Sequence, residues 1–472
     1  MQRSDRFGSR GDKMIPWGKL LSVLSVYLAL AATAWPDSEA PLPRTAVVGV
    51  TVIDGTGAPP RADMAVLIQG DRIAAVVPRR DFAPPAGTKI VDGTGKTIIP
   101  GFVGMHDHTH VPGNTFTGEV AAGLWIAGGV TTVMTAGSAE PERELALARE
   151  IAQGERIGPE ILPSAPYISG PGGSPAMAMP ADAAAARAFV RDWSKRGVQW
   201  FKLYRHTEPA IAAAVIDEAH RQGRRVTGHL CSITFAEAAV MGIDGIEHGL
   251  TSATDLVPDK EPRSCRSAVP LLDALDLDSP EVSRLIATLV AQDVTLTSTL
   301  AILEGRFADR PQGDARSLAM LTPAARDRLA AHRAQLEADA ATTRWTSAVW
   351  EKILAFERRF VAAGGTLLTG PDFGRHVVPG FGNQRGFELL VEAGFTAPQA
   401  IRIATLNGAE ALGLSDRIGR IAPGYEADLV LIDGDPARDA RDIRKVETVF
   451  VNGQAITPAP LIEAARGRFG PQ

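Results

Sequence analysis

Ile99-Pro100-Gly101-Phe102-Val103-Gly104-Met105-His106-Asp107-His108 is the stretch on which the fold of this chain turns. Successive side chains of a strand point to opposite faces, so His106 and His108, two apart, share one side and can grip a single ion. Downstream of it, seven more strand-like runs follow, separated by helical stretches. They are Val130 to Met134, Glu160 to Ser164, Trp200 to Tyr204, Arg225 to His229, Gly245 to His248, Val294 to Ser298 and Thr366 to Asp372. Eight β-α units of this kind predict an α/β protein with a TIM-type (β/α)8 barrel, spanning residues 99–405. The stretch Thr322 to Ala363 exceeds one helix and is a candidate lid or rim insertion.

The chain ends have a different texture. Short β-branched runs with Gly turns fill residues 45–98, for example Ala46 to Ile53 and Met64 to Ile68, and similar runs recur at Ala427 to Asp433 and Val446 to Gly453. The expectation is a small composite β-sandwich built from both ends, its N-terminal half at 45–98 and its C-terminal half, with the tail, at 406–472. Ahead of it, Lys13 and Lys19 precede an apolar run, Leu20 to Ala34, that ends in Ala32-Thr33-Ala34. This predicts a signal peptide at 1–34, then a Pro-rich linker at 35–44. The apolar run is shorter than the ~20 residues a membrane span needs, so no stable span is expected after cleavage. The expected location is periplasmic or secreted. Cys231 and Cys265 are the two cysteines; a disulfide between them and two separate buried thiols both fit the sequence.

Among 472 residues, 45% are hydrophobic, enough for one large domain with a smaller companion. The formal charge of −5 comes without a long basic run, which argues against a nucleic-acid partner. Gly170-Pro171-Gly172-Gly173 lacks the pattern of a phosphate cradle. Oligomeric state is not legible, and a homo-oligomer is compatible.

His106, His108, Lys202, His229, His248 and Asp372 all fall at or near C-terminal strand ends, the face where barrel active sites converge. Taken singly, each has a structural explanation: a packed His pair, a snorkelling Lys, a core His, an N-capping Asp. Together they form a ligand set of imidazoles and a carboxylate suited to zinc and similar ions. Lys202 is the oddity, because a charged amine inside Trp200-Phe201-Lys202-Leu203-Tyr204 is expensive, and burial beside cations lowers its pKa. A neutral amine there can take up carbon dioxide as a carbamate, an anionic ligand able to bridge two metals. Further rim candidates for substrate binding are His110, Tyr204, Arg205, His206 and Arg385, the two arginines as carboxylate binders. His220 and His332 read as surface residues, and His376 has no assigned role.

These ordered runs, together with Phe201-Lys202-Leu203-Tyr204, Gly245-Ile246-Glu247-His248-Gly249, Ala404-Thr405-Leu406-Asn407-Gly408-Ala409 and Gly419 to Val430, resemble the amidohydrolase superfamily, in particular its imidazolonepropionase-related and Xaa-Pro-dipeptidase-like secreted branch. The resemblance covers about residues 45 to 455 and departs at Gly104, where an acidic residue is common, and at Pro371, where Thr is common. It implies two divalent metal ions, zinc by choice. His106, His108, Lys202 and Asp372 would hold the first; Lys202, as a carbamate, His229 and His248 would hold the second. It further implies a metal-bridging hydroxide, Asp372 as the catalytic proton carrier, and hydrolysis of a C–N bond in a dipeptide or N-acyl amino acid. The alternatives are a mononuclear cyclic-amide hydrolase or deaminase of the same superfamily and, from another class, a non-catalytic binding protein on a hydrolase scaffold.

Overall fold

The structure, a computed structural model, describes residues 42–111 and 115–471. The expected signal peptide and most of the linker lie outside the described residues. No helix among those described is long and apolar enough to cross a membrane.

The barrel strands, numbered here in chain order, are β1 (Phe102–Asp107), β2 (Val130–Thr135), β3 (Glu160–Leu162), β4 (Trp200–Leu203), β5 (Arg225–Gly228), β6 (Gly245–Glu247), β7 (Thr295–Ser298) and β8 (Leu367–Thr369). From β2 onward they fall within two residues of the sequence expectation, apart from β8, which ends three residues before Asp372. β1, β2 and β3 pair in parallel, and β4 to β8 form a second parallel run. Two seams close the ring. Ala165 N donates to Trp200 O at 3.0 Å and Ile168 N to Lys202 O at 2.9 Å, while Asp372 N donates to His106 O at 3.0 Å. The second seam is tight because of Gly370: a Cβ there would collide with the backbone and Cβ of His106. The last strand can therefore lie flush against the first only with glycine at this position.

Both chain ends build one sheet, as expected, but its strands join continuously in a single mixed sheet. Thr97–Pro100 from the N-terminal side pairs antiparallel with Leu429–Ile432 from the C-terminal side, and this register ties the two ends together. The buried face carries Val47, Val66, Ile98, Leu429 and Phe450, apolar residues at alternating positions of the kind that fix strand register. The segment 406–472 is not all sheet. Its first helix, Leu406–Leu412, packs Ala409 and Ala411 with Val103, Met105 and Leu368 of the barrel.

The long stretch after β7 resolves into two helices, Pro323–Ala338 and Ser347–Ala362. The second is the ordinary barrel helix, burying Trp350, Ile353, Phe356 and Phe360. The first buries only Ala325 and Leu329 and is the extra element. The second also buries an acid: Glu357 is 2% exposed and accepts from Ser298 Oγ at 3.0 Å at the end of β7. Burial pushes its pKa from 4.5 up to about 8, partly offset by the Ser298 bond. The folded state therefore holds this proton where the unfolded state releases it. Stability from Glu357 is fully present below pH 4.5 and declines as pH rises to about 8. A Glu357→Gln variant keeps the acceptor for Ser298 without the charge. It is expected to match wild type in urea unfolding at pH 5 and to exceed it by roughly 3–5 kcal/mol at pH 8.5. Parallel pH profiles for the two proteins would refute this.

Candidate active site

The six expected residues meet at the C-terminal mouth of the barrel. His106, His108, Lys202, His229, His248 and Asp372 line one chamber of about 240 Å³, together with His110, Tyr167 and Tyr204. Each arrives from a strand end, and two do so at a backbone cost. His248 and Asp372 have φ of 68° and 52°, left-handed values that non-glycine residues rarely adopt and that gather at functional sites.

His106, His248 and Asp372 offer ligand atoms that all lie within 4.8 Å of one another. His106 Nε2 is 3.7 Å and His108 Nε2 is 3.2 Å from Asp372 Oδ1. Two donors bound tetrahedrally to one zinc ion sit roughly 3.4 Å apart, given bonds of 2.0–2.1 Å. The residues present therefore fit a divalent ion. This is the metal-ligand group found among the described residues, and it is a group for one ion.

Protonation supports the same use. Burial first, and the neighbouring Lys202, hold His106 below its ordinary pKa, and burial together with Lys202 lowers His229 to about 3. Burial, then the His229 and His106 rings, put His248 well below the usual imidazole range. These rings are neutral at ordinary pH, the form that ligates metal. Burial would raise Asp372, but His106, His108 and His248 outweigh it and keep the carboxyl ionised.

Glu247, at the end of β6, is the residue that sequence reasoning left without a role. It is fully buried and touches both Lys202 and His106. Burial would raise its pKa, but Lys202 and then His106 pull it well below the usual range. Glu247 is thus a carboxylate that only accepts. His106 Nδ1–H donates to its Oε2 at 2.5 Å, which leaves His106 Nε2 bare toward Asp372. Thr227 Oγ1 donates to its other oxygen, which also lies 3.5 Å from Lys202 Nζ. Lys202 itself is 1% exposed, and among the described residues its Nζ has no hydrogen-bond partner. Burial, opposed by Glu247 and Asp372, lowers its pKa.

Tyr167 is a second residue without a sequence signal, since it lies in the loop after β3. Its hydroxyl is 3.3 Å from His108 Nδ1 and 3.1 Å from His110 Nε2. His110, pressed to about pKa 3 by burial and His108, is held there beside the cluster. Gly104 also finds its reason. A side chain at this position would occupy the place of the Asp107 carboxylate, which is buried and accepts from Trp125 Nε1 at 2.8 Å.

The remaining rim candidates divide. Tyr204 lines the inner chamber, and Tyr204 and Arg205 line an outer mouth above it. His206 packs instead against Gly172 of the glycine-rich loop. Arg385 does not reach the mouth: its guanidinium donates to Glu304 and Glu388 at 2.7–2.9 Å, so its charge is already answered and a carboxylate-binding role does not fit. Cys231 and Cys265 are bonded, closing the alternative the sequence left open. The bridge pins the segment just past His229 to the rim.

Comparison with known proteins agrees with this geometry. A model of the amidohydrolase family matches residues 364–456. An imidazolonepropionase of Deinococcus deserti is 39% identical over 83 residues, 17% of this chain and 21% of that protein. A dihydroorotase of Mycobacterium tuberculosis is 28% identical over 191 residues, 38% of this chain and 43% of that protein. The chain thus spans from about a fifth to two fifths of the length of these curated relatives. In three dimensions the likeness extends over nearly the whole chain. A crystal structure from Bifidobacterium longum assigned as a prolidase superposes with a TM-score of 0.67 at 25% identity, covering 90% of this chain and 99% of that one. A Xaa-Pro dipeptidase with bound methionine gives 0.65 at 19% identity, covering 88% and 100%, a likeness of fold. By sequence over residues 364–456 and by fold over nearly its whole length, the chain is similar to members of the amidohydrolase superfamily.

Proposed function

We propose that this protein is a metal-dependent hydrolase of a C–N bond in a small amide, working with one divalent ion held by His106, His248 and Asp372. The observation that carries the reading is that group of two buried imidazoles and a half-buried carboxylate at the barrel mouth, the one such His–carboxylate group among the described residues. Zinc suits the donor set, and a bound ion would supply Lewis acidity, lowering the pKa of water and polarising a carbonyl. The chain's own residues do the rest. Asp372, ionised and 24% exposed at its side chain, is placed to accept a proton from water and return it to the leaving nitrogen. Glu247 fixes the His106 ring, and Tyr167 orients His108 and His110. The names imidazolonepropionase, dihydroorotase and adenine deaminase among the relatives favour a cyclic amide or an amino-bearing ring as substrate.

A second reading has its own observation. The unpartnered Nζ of Lys202, beside His106 and Glu247, is where a carbamate would form and join a second ion held with His229 and His248. In that form the substrate would be a dipeptide or N-acyl amino acid, as the prolidase likeness suggests. One experiment separates them: elemental analysis of the purified protein beside a hydrolysis panel of cyclic amides, Xaa-Pro dipeptides and N-acyl amino acids. One metal per chain with turnover of a ring substrate supports the first reading. Two metals per chain, with turnover of an open amide, replace it with the second. A metal-loaded protein that cleaves nothing in the panel refutes both.

A further inference from the structure

Above the metal group, the chamber opens into an outer mouth of about 340 Å³ that shares Tyr204, His229, His248, Asp372 and Phe373 with it. Three arginines line this mouth: Arg205, Arg306 and Arg375. Among the described residues none of the three has an acidic partner, whereas neighbouring arginines such as Arg310 and Arg385 are paired with Glu304 and Glu392. Among the described residues the one acid lining the mouth is Asp372, already committed to the histidines.

The positions are as informative as the charges. Arg205 lies two residues past β4, while Arg375 lies six past β8 and Arg306 follows the helix after β7. In a closed ring of eight, β4 and β8 stand on opposite sides. The mouth therefore has a cationic wall on each side of the metal group. Arg375 is presented deliberately. It sits at the tip of a turn closed by reciprocal hydrogen bonds between Gly374 and Val377, with φ of 48°, a left-handed conformation that a bulky side chain avoids unless its surroundings impose it. Its Nη2 donates to Ile302 O, and its buried Nε has no partner among the described residues. Burial, and then the Arg306 charge, lower its pKa to about 10. Two guanidinium groups crowded in a half-buried mouth are uncompensated until an anion arrives.

We propose that the substrate is a doubly anionic amide, with one carboxylate taken by Arg205 and a second, across the scissile bond, taken by Arg306 and Arg375. This rests on the C–N hydrolase reading above, in either its ring or its open-amide form, and names the substrate class: an amide or ring whose acyl portion ends in a free carboxylate and whose amine portion carries another. Neutral acyl groups would leave Arg306 and Arg375 unanswered.

The test has two arms on the metal-loaded full chain. In the first, titration calorimetry compares glutarate with butyrate, which lacks the second carboxylate. Glutarate is expected to bind at least tenfold more tightly to wild type, and Arg375→Gln and Arg306→Gln are each expected to lose most of that advantage while leaving butyrate affinity unchanged. In the second, hydrolysis of N-succinyl amino acids is compared with that of their N-butanoyl counterparts; kcat/KM is expected to favour succinyl at least tenfold in wild type and to approach parity in Arg375→Gln. Arginine-dependent glutarate binding without hydrolysis of any amide would leave the subsite standing and overturn the amide reading. Hydrolysis with no succinyl preference, or variants that weaken both ligands alike, would overturn the subsite. Circular dichroism spectra of the variants matching wild type exclude misfolding as the cause.

Discussion

Asp372→Asn is expected to reduce kcat/KM by at least about 10³-fold, with the protein still folded and its far-UV spectrum unchanged. The substitution is nearly isosteric, and the backbone at 372 holds a left-handed φ of 52° that Asn tolerates as well as Asp does. What disappears is charge and basicity. Among the described residues, Asp372 is the carboxylate within reach of all three of His106, His108 and His248, and it lies 3.2 to 3.8 Å from their ring nitrogens. An amide there cannot take a proton from water at neutral pH, so the proton-transfer contribution is lost. A metal ion held by the two histidines also loses its anionic ligand. Metal content is therefore expected to fall below wild type at limiting metal and to recover in excess metal, while activity does not recover. That split separates the proton role from the ligand role. If activity returned fully with excess metal, Asp372 would be a ligand alone. A loss of less than tenfold would remove it from the chemistry.

How far the sequence disclosed this site follows from what each residue signals. The barrel strands and the six polar residues at their ends were legible because strand ends in a parallel barrel converge by topology, so position along the chain substitutes for position in space. The inner chamber duly holds His106, His108, Lys202, His229, His248 and Asp372 together. Lys202 stood out because a cation in an apolar strand demands an explanation. The same argument applies to Glu247, equally charged in an equally apolar strand, but its place beside His248 gives it no signal separate from the histidine's. Tyr167 and Arg375 left no trace, since both act from loops whose conformation has no periodic signature. Arg385 failed for a physical reason of another kind. Nearness to Asp372 in sequence placed it on the helix Phe381–Glu392, where Glu304 and Glu388 already answer its charge. The expectation of two metals drew on Lys202 and the His229–His248 pair as well as on resemblance; among the described residues the His and carboxylate ligand atoms that converge are those of one group, His106, His248 and Asp372.

Glu247→Gln tests whether the support behind that group matters as much as the ligands do. Glu247 is bonded on every side: His106 on one oxygen, Thr227 on the other, with Lys202 at 3.5 Å. In a buried setting a carboxylate so placed fixes a proton on His106 Nδ1 and thereby frees Nε2. Glutamine preserves volume and can still accept from one neighbour, but its NH2 end must then face either His106 or the Thr227–Lys202 side. If it faces His106, the ring is driven to the opposite tautomer, with the proton on Nε2 where a metal would bind. If it faces Lys202, a donor meets a donor. Metal affinity is expected to drop about 10- to 100-fold, measured by competition with a chelator, and kcat/KM at subsaturating metal is expected to fall in step. Because the ligands themselves are intact, saturating metal should restore most of the activity, in contrast to Asp372→Asn. Burial of Lys202 without its acid partner adds a stability cost of roughly 3–5 kcal/mol if the amine stays charged. A neutral amine escapes most of that cost, so the unfolding free energy of Glu247→Gln reports the charge of Lys202 directly. A variant with unaltered metal affinity would show that Glu247 serves packing alone, and that the His106 ring is oriented by the metal it binds.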